Sequence, residues 1–169
     1  MIIRKEEQND FDDIYNLIKT AFKTAKKSDG DEQDFALALK NSDRYIPELS
    51  LVAVLDKKLI GHIMLTKNYI ETDSGNVESL LLAPLSVLTE YRNKGIGASL
   101  VNNALAIAKD LEYKAAFLCG DPAYYERFGF ISVSNFNIKP LMKIPKKYVL
   151  VCELQPKWLN GIKGTINIM

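Results

Sequence analysis

Histidine occurs once in these 169 residues, tryptophan once and cysteine twice. Two cysteines, Cys119 and Cys152, make neither a disulfide framework nor a cysteine metal site. Both lie in apolar, strand-like surroundings, where a buried reduced thiol is expected, and no metal is expected anywhere. No apolar run approaches the ~20 residues that a membrane-spanning helix needs. The opening residues, with Arg4, Lys5, Glu6 and Glu7, lack the pattern of a signal peptide. A net charge of +1 gives no bulk attraction to nucleic acid or to an anionic membrane. There is no internal repeat, low-complexity tract or linker, so residues 1–169 read as one domain, with the cytoplasm as its default compartment. What the chain does have is 47% hydrophobic residues, enough for a core of ordinary size.

The most informative stretch is Tyr91-Arg92-Asn93-Lys94-Gly95-Ile96-Gly97-Ala98. It follows an apolar run, residues 80–88, and precedes a helical pattern at about 97–111. A strand, a glycine-bearing turn and a helix in that order make an anion site. The first N–H groups of a helix have no internal partner, and the helix dipole adds about half a positive charge there. Gly95 and Gly97 allow close approach of a ligand to the backbone, and Arg92 and Lys94 add two cations. The spacing is not that of the Gly-x-x-x-x-Gly-Lys-Ser/Thr nucleotide loop. Nor is it the dinucleotide fingerprint, whose third glycine would fall at Leu100. A nucleotide-binding module is therefore disfavoured.

Elsewhere, Ile2 and Ile3 open a first strand, and Asn9-Asp10 signal a helix start. Phe11, Ile14, Leu17, Ile18, Ala21 and Phe22 recur at helical spacing. Residues 23–31 read as a loop, and a second short helix carries Phe35, Leu37, Ala38 and Leu39 as its apolar residues, with Pro47 closing the region. Residues 51–55 and about 59–69 form a hairpin through Asp56-Lys57-Lys58. Asp73-Ser74-Gly75-Asn76 turns into the next strand, which runs toward Val87. From there strand, helix and strand alternate, which requires a parallel pair with a crossover helix. Pro84 inside the apolar strand implies a bulge or a parting of neighbours. Asp121 and Pro122 are the cap and first residue of a short helix ended by Gly129. Residues 148–154 make a last strand after a long loop.

Two of these stretches carry a family resemblance. The run from Leu80 through Pro84 and Val87 to Gly97 resembles the fourth strand and pyrophosphate loop of the GCN5-related N-acetyltransferases (GNAT). Gly120-Asp121-Pro122-Ala123-Tyr124-Tyr125-Glu126-Arg127-Phe128-Gly129-Phe130 resembles the final core motif of that superfamily, in the version of its YhbS-like branch. The resemblance implies an α/β single-domain fold with a mixed sheet of about six or seven strands, a splayed fourth and fifth strand pair and about four helices. It also implies an acyl-coenzyme A-dependent N-acyltransferase, with acetyl-coenzyme A as cosubstrate and no metal. By the same resemblance, Leu85, Ser86, Val87, Arg92, Asn93, Lys94, Gly95, Ile96, Gly97, Ala98, Tyr124 and Phe128 would bind the cofactor, and Tyr125 would be the catalytic acid. Its partners would be a small-molecule or peptide amine, not nucleic acid or membrane, with the chain a monomer or homodimer.

The implied reaction is attack of an amine on a thioester carbonyl. A lysine-like amine of pKa ~10.4 is neutral about once in 2,500 at pH 7, a deficit of roughly 4.6 kcal/mol, so a base or a site for the neutral form adds rate. A backbone amide near Val87 is the expected oxyanion donor. Many relatives place a glutamate midway along the fourth strand, but residues 80–83 here are Leu-Leu-Leu-Ala. Glu78 lies roughly 30 Å from Val87 along an extended strand. His62, ordered water or no dedicated base remain as alternatives. The missing glutamate also leaves a non-catalytic acyl-coenzyme A sensor as the second reading. No acidic patch announces the acceptor.

Overall fold

The computed structural model describes residues 1–25 and 28–168. The strands are β1 (Ile2–Lys5), β2 (Tyr45–Leu55), β3 (Lys58–Thr72), β4 (Gly75–Val87), β5 (Ala115–Cys119), β6 (Ile131–Ser132), β7 (Ile138–Pro140), β8 (Val149–Glu153) and β9 (Gly164–Ile166). The helices are α1 (Phe11–Phe22), α2 (Glu32–Lys40), α3 (Ile96–Asp110) and α4 (Pro122–Tyr125). Parallel and antiparallel pairs both occur, as the α/β reading with a mixed sheet requires. Two compact units divide the chain, residues 1–66 with 83–107 and residues 67–82 with 108–169. No helix among the described residues is long and apolar enough to cross a membrane.

In the first unit, β2 pairs antiparallel with β1 and with β3. Asp56 and Lys57 turn the β2–β3 hairpin with φ of 48° and 67°, the left-handed pair that a two-residue connection demands. Helix α1 buries Ile14, Leu17, Ile18 and Ala21, each worth up to ~1.5–3 kcal/mol for its larger side chains. Phe11 stays 41% exposed. Helix α2 departs from expectation. Its buried residues are Gln33, Ala36 and Leu39, while Leu37 and Ala38 face solvent. The strand predicted at residue 51 begins at Tyr45, because Pro47 and Glu48 are accommodated within it. Part of the predicted 23–31 loop, Lys26 and Lys27, lies outside the described residues.

Gly61 sets how closely α3 lies on β3. A Cβ there would stand 3.0 Å from Leu100 Cδ1, 3.2 Å from Ile96 Cγ2 and 3.3 Å from the Ser86 carbonyl. The side chain of β3 at this point therefore faces α3, and by the two-residue alternation of a strand its neighbour His62 faces the opposite side, toward α1 and α2.

In the second unit, β4 and β5 pair in parallel at Leu80↔Ala116 and Leu81↔Phe117. Strand β8 pairs antiparallel with β5 and with β6, and β9 joins β7 to residues 70 and 71 of β3. The strand predicted at 148–154 is β8, but β7 arises where a loop was expected, and β9 follows the strand that was expected to be the last. Cys152 is buried as predicted, whereas Cys119 is exposed, since it is the last residue of β5.

Candidate active site

The loop before α3 is built as an open amide cradle. The first hydrogen bond of the helix runs from the Ser99 N–H to the Gly95 carbonyl at 3.0 Å. The N–H groups of Ile96, Gly97 and Ala98 therefore precede it and have no acceptor within the helix. Gly95 has φ of +80°, and a Cβ built on it would meet nothing within 4 Å. Asn93 is also left-handed, at φ 61°. Asn93, Lys94 and Gly95 are exposed, and Ile96 is buried as an anchor. Lys94 Nζ stands 5.6 Å from the centre of the Tyr91 ring, and Lys58 Nζ stands 5.4 Å from the same ring. Lys58 is a cation beside the loop that sequence spacing does not reveal, because it reaches there from the start of β3.

Arg92 does not act as the free cation that the motif suggests. Its Nη2 donates to the Ala21 carbonyl at 2.6 Å, its Nη1 to Thr24 Oγ1 at 3.1 Å and its Nε to the Val87 carbonyl at 3.2 Å. The carbonyls in the last turn of α1 lack helical partners, so a guanidinium is the natural donor to close them. Arg92 thus ties the end of α1 to the end of β4, and two of its five N–H groups make no hydrogen bond to a described residue.

Within residues 85–87, Leu85 and Val87 are half-buried and Ser86 is buried. The Ser86 Oγ has no hydrogen-bond partner among the described residues. A buried orphan hydroxyl, unspent helix amides and a left-handed glycine with empty space before it all suit a long ligand bearing phosphate.

Behind this segment, a polar cluster sits on the other face of β3. Glu6 accepts from Lys40 and Tyr45 on Oε1, and from the Ser50 hydroxyl at 2.6 Å on Oε2. Burial alone would raise its pKa, but these donors and the nearby His62 outweigh it and hold the carboxyl near about 2. His62 is 1% exposed. Its Nε2 is 3.1 Å from Ser50 Oγ and 3.6 Å from Glu6 Oε2. Since the serine hydroxyl donates to Glu6, the ring must donate from Nε2, which leaves Nδ1 as the bare nitrogen. Nδ1 is buried without a partner among the described residues. Burial lowers the histidine pKa, against the pull of Glu6, so the ring is neutral.

The second unit carries the aromatic motif. Asp121 caps α4 by accepting from the Ala123 N–H at 3.0 Å, Pro122 opens the helix, and Gly129 ends the following turn at φ 90°. Tyr125 packs edge-on against Tyr124 at 4.9 Å and Phe130 at 5.8 Å, with Phe128 at 6.3 Å. Tyr124 also meets Phe128 at 5.6 Å, so Tyr124 and Tyr125 share one aromatic cluster. Burial pushes the Tyr125 phenol well above its ordinary value and raises that of Tyr124 as well. The Tyr125 ring lies on Gly120, where a Cβ would be 2.6 Å from Tyr125 Cε2.

Comparison with known proteins places these features. A family model described as the acetyltransferase (GNAT) family matches residues 11–130. The uncharacterized N-acetyltransferase YjhQ of Escherichia coli K12 is 29% identical over 124 residues, spanning 73% of this chain and 66% of its own length. The uncharacterized N-acetyltransferase YhbS of the same strain is 29% identical over 119 residues, spanning 70% of each. Among solved structures, Escherichia coli YhbS in complex with coenzyme A superposes with a TM-score of 0.85 at 25% identity, covering 98% of this chain and 88% of that one. A Brucella melitensis GNAT acetyltransferase in complex with acetyl-coenzyme A gives 0.80 at 27% identity, covering 98% and 93%.

Proposed function

Because the chain belongs to the acetyltransferase (GNAT) family, we propose that residues 1–169 act as one domain that moves an acetyl group from acetyl-coenzyme A to a primary amine of a small molecule or peptide. The observation that carries this reading is the unspent amide row of Ile96, Gly97 and Ala98 beside the open face of Gly95. Support comes from the two related structures, one with coenzyme A and one with acetyl-coenzyme A.

The cosubstrate supplies an activated acetyl thioester, and the chain supplies the rest. The three amides and the helix dipole hold the diphosphate, with Lys94 and the remaining N–H groups of Arg92 as flanking cations. The backbone and hydroxyl of Leu85, Ser86 and Val87 hold the pantetheine arm, and an amide near Val87 steadies the developing oxyanion. Tyr124 and Phe128 pack against the cofactor. Tyr125 donates a proton to the departing thiolate, a role suited to a hydroxyl with no hydrogen bond to a described residue and a pKa that keeps it protonated at neutral pH.

Isothermal calorimetry with coenzyme A and acetyl-coenzyme A tests the site, and thiol release across a panel of amines tests the transfer. Saturable heat with both ligands and thiol release with at least one amine are expected. No heat with either would end the reading, and binding without release for any amine would leave the sensor.

A further inference from the structure

Between α1 and α2 and the facing side of β3 lies a cavity of about 40 Å³, lined by Ile14, Ile18, Ala36, Met64, Lys40 and His62. That is room for about three water-sized occupants, in a lining that is mostly apolar. We propose that this cavity receives the amine end of a small, largely apolar acceptor, and that His62 Nδ1 is the base that takes its proton. The inference rests on the transferase reading above.

Three observations support it. First, His62 lines the cavity, its Nδ1 is buried without a partner among the described residues, and the Ser50 and Glu6 contacts hold the ring in the tautomer that leaves Nδ1 bare. A buried acceptor without a donor costs about 1–3 kcal/mol, which a ligand N–H would recover. Second, both Glu6 oxygens are engaged and its charge is matched by Lys40, so no anion remains in the cavity for an ammonium. The amine is therefore received uncharged, the form that can attack. Third, His62 sits on β3, whose backbone at this level lies beside the strand where the thioester would lie. The Leu88 N–H donates to the Ile60 carbonyl at 2.9 Å, and Gly61 abuts the Ser86 carbonyl. The β3 backbone leading into His62 is thus one interstrand spacing, about 4.8 Å, from the end of β4.

The amine lone pair forms the C–N bond at the acetyl carbon, and the adduct nitrogen then carries a proton far more acidic than that of a free ammonium. That proton passes to Nδ1. The C–S bond breaks, the thiolate leaves with the electron pair and is protonated, and the imidazolium returns its proton to solvent. While charged, the ring is steadied by Glu6 through Nε2. The titratable groups around it are Glu6 after β1, Tyr15 on α1, Lys40 on α2 and Tyr45 on β2.

His62 is the only histidine, so protein labelled with nitrogen-15 histidine gives a single set of ring signals. Methylamine, propylamine, butylamine and benzylamine are titrated into this protein, with tetramethylammonium as a control that has no N–H. The Nδ1 signal is expected to move saturably with at least one amine and not with the control. For that amine, His62→Gln lowers kcat by about 10²–10⁴-fold with little change in the KM for acetyl-coenzyme A. Ala36→Leu fills the cavity and raises the amine KM, and it carries the test if the His62 variant does not fold. An Nδ1 signal unmoved by every amine, a shift without turnover, or full kcat in His62→Gln overturns the proposal. Coenzyme A calorimetry on the same preparations separates the failures. Without coenzyme A binding the transferase reading itself falls, and with binding intact only the role of His62 does.

Discussion

Replacing Glu6 by Gln should change how the protein tolerates acid, in an amount the structure allows to be worked out. The carboxyl is held near about 2 against an ordinary 4.5, because donors from Lys40, Tyr45 and Ser50 converge on a buried group. A depressed carboxyl favours the folded state above its unfolded pKa, and that contribution is lost as pH falls through the folded one. The difference corresponds to ~3 kcal/mol, lost between about pH 4.5 and pH 2. At neutral pH, Glu6→Gln leaves the Lys40 ammonium without its anion, at a cost of about 3–5 kcal/mol. Urea unfolding followed by far-ultraviolet circular dichroism, repeated from pH 7 to pH 2, measures both. The stability gap between the two proteins should narrow by about 3 kcal/mol across the lower window. The lowered pKa of His62 acts with the same sign in both proteins, from about pH 6.5 downward. A gap that stays constant from pH 4.5 to pH 2 would refute the reasoning.

Further expectations follow from single contacts. Arg92→Met removes three charge-assisted bonds from a partly exposed side chain and should cost about 2–3 kcal/mol in urea unfolding, with weaker coenzyme A binding. Unchanged stability would show that the tie to α1 is idle. Gly120→Ala places a Cβ against Tyr125 and Leu118, and should destabilise by about 1–3 kcal/mol; a neutral result would mean the ring moves freely. Tyr125→Phe should lower kcat by about 10²-fold or more while coenzyme A affinity by calorimetry is kept, and full turnover would remove it as the acid.

How much of this was readable in the chain depends on the range of the interaction involved. The amphipathic face of α1, the turn at Asp56 and Lys57, the start of α3 and the Asp121–Pro122 cap are set by residues a few positions apart, and each is visible as spacing. Helix α2 misleads because Ala36, a small residue, is buried while the larger Leu37 is not; nine residues with two exposed apolar side chains define no face. Arg92 is legible as a cation, but its direction is decided by the carbonyl of Ala21, 71 positions away. The Glu6 cluster is silent in sequence for the same reason. Glu6, Ser50 and His62 meet only because β2 lies between β1 and β3 and brings separate strands into register. A lone strand histidine gives no hint of the carboxylate that fixes its tautomer.

The Arg92 tie has a wider consequence. One guanidinium joins the segment that would grip the diphosphate to the helix that walls the His62 cavity, so the two halves of the proposed reaction would share a mechanical part. Whatever tightens the loop also fixes the wall, and free-energy linkage makes such an effect mutual. Coenzyme A should then raise the affinity for the amine by the same factor as the amine raises that for coenzyme A, and cutting the tie should make the two sites indifferent to each other.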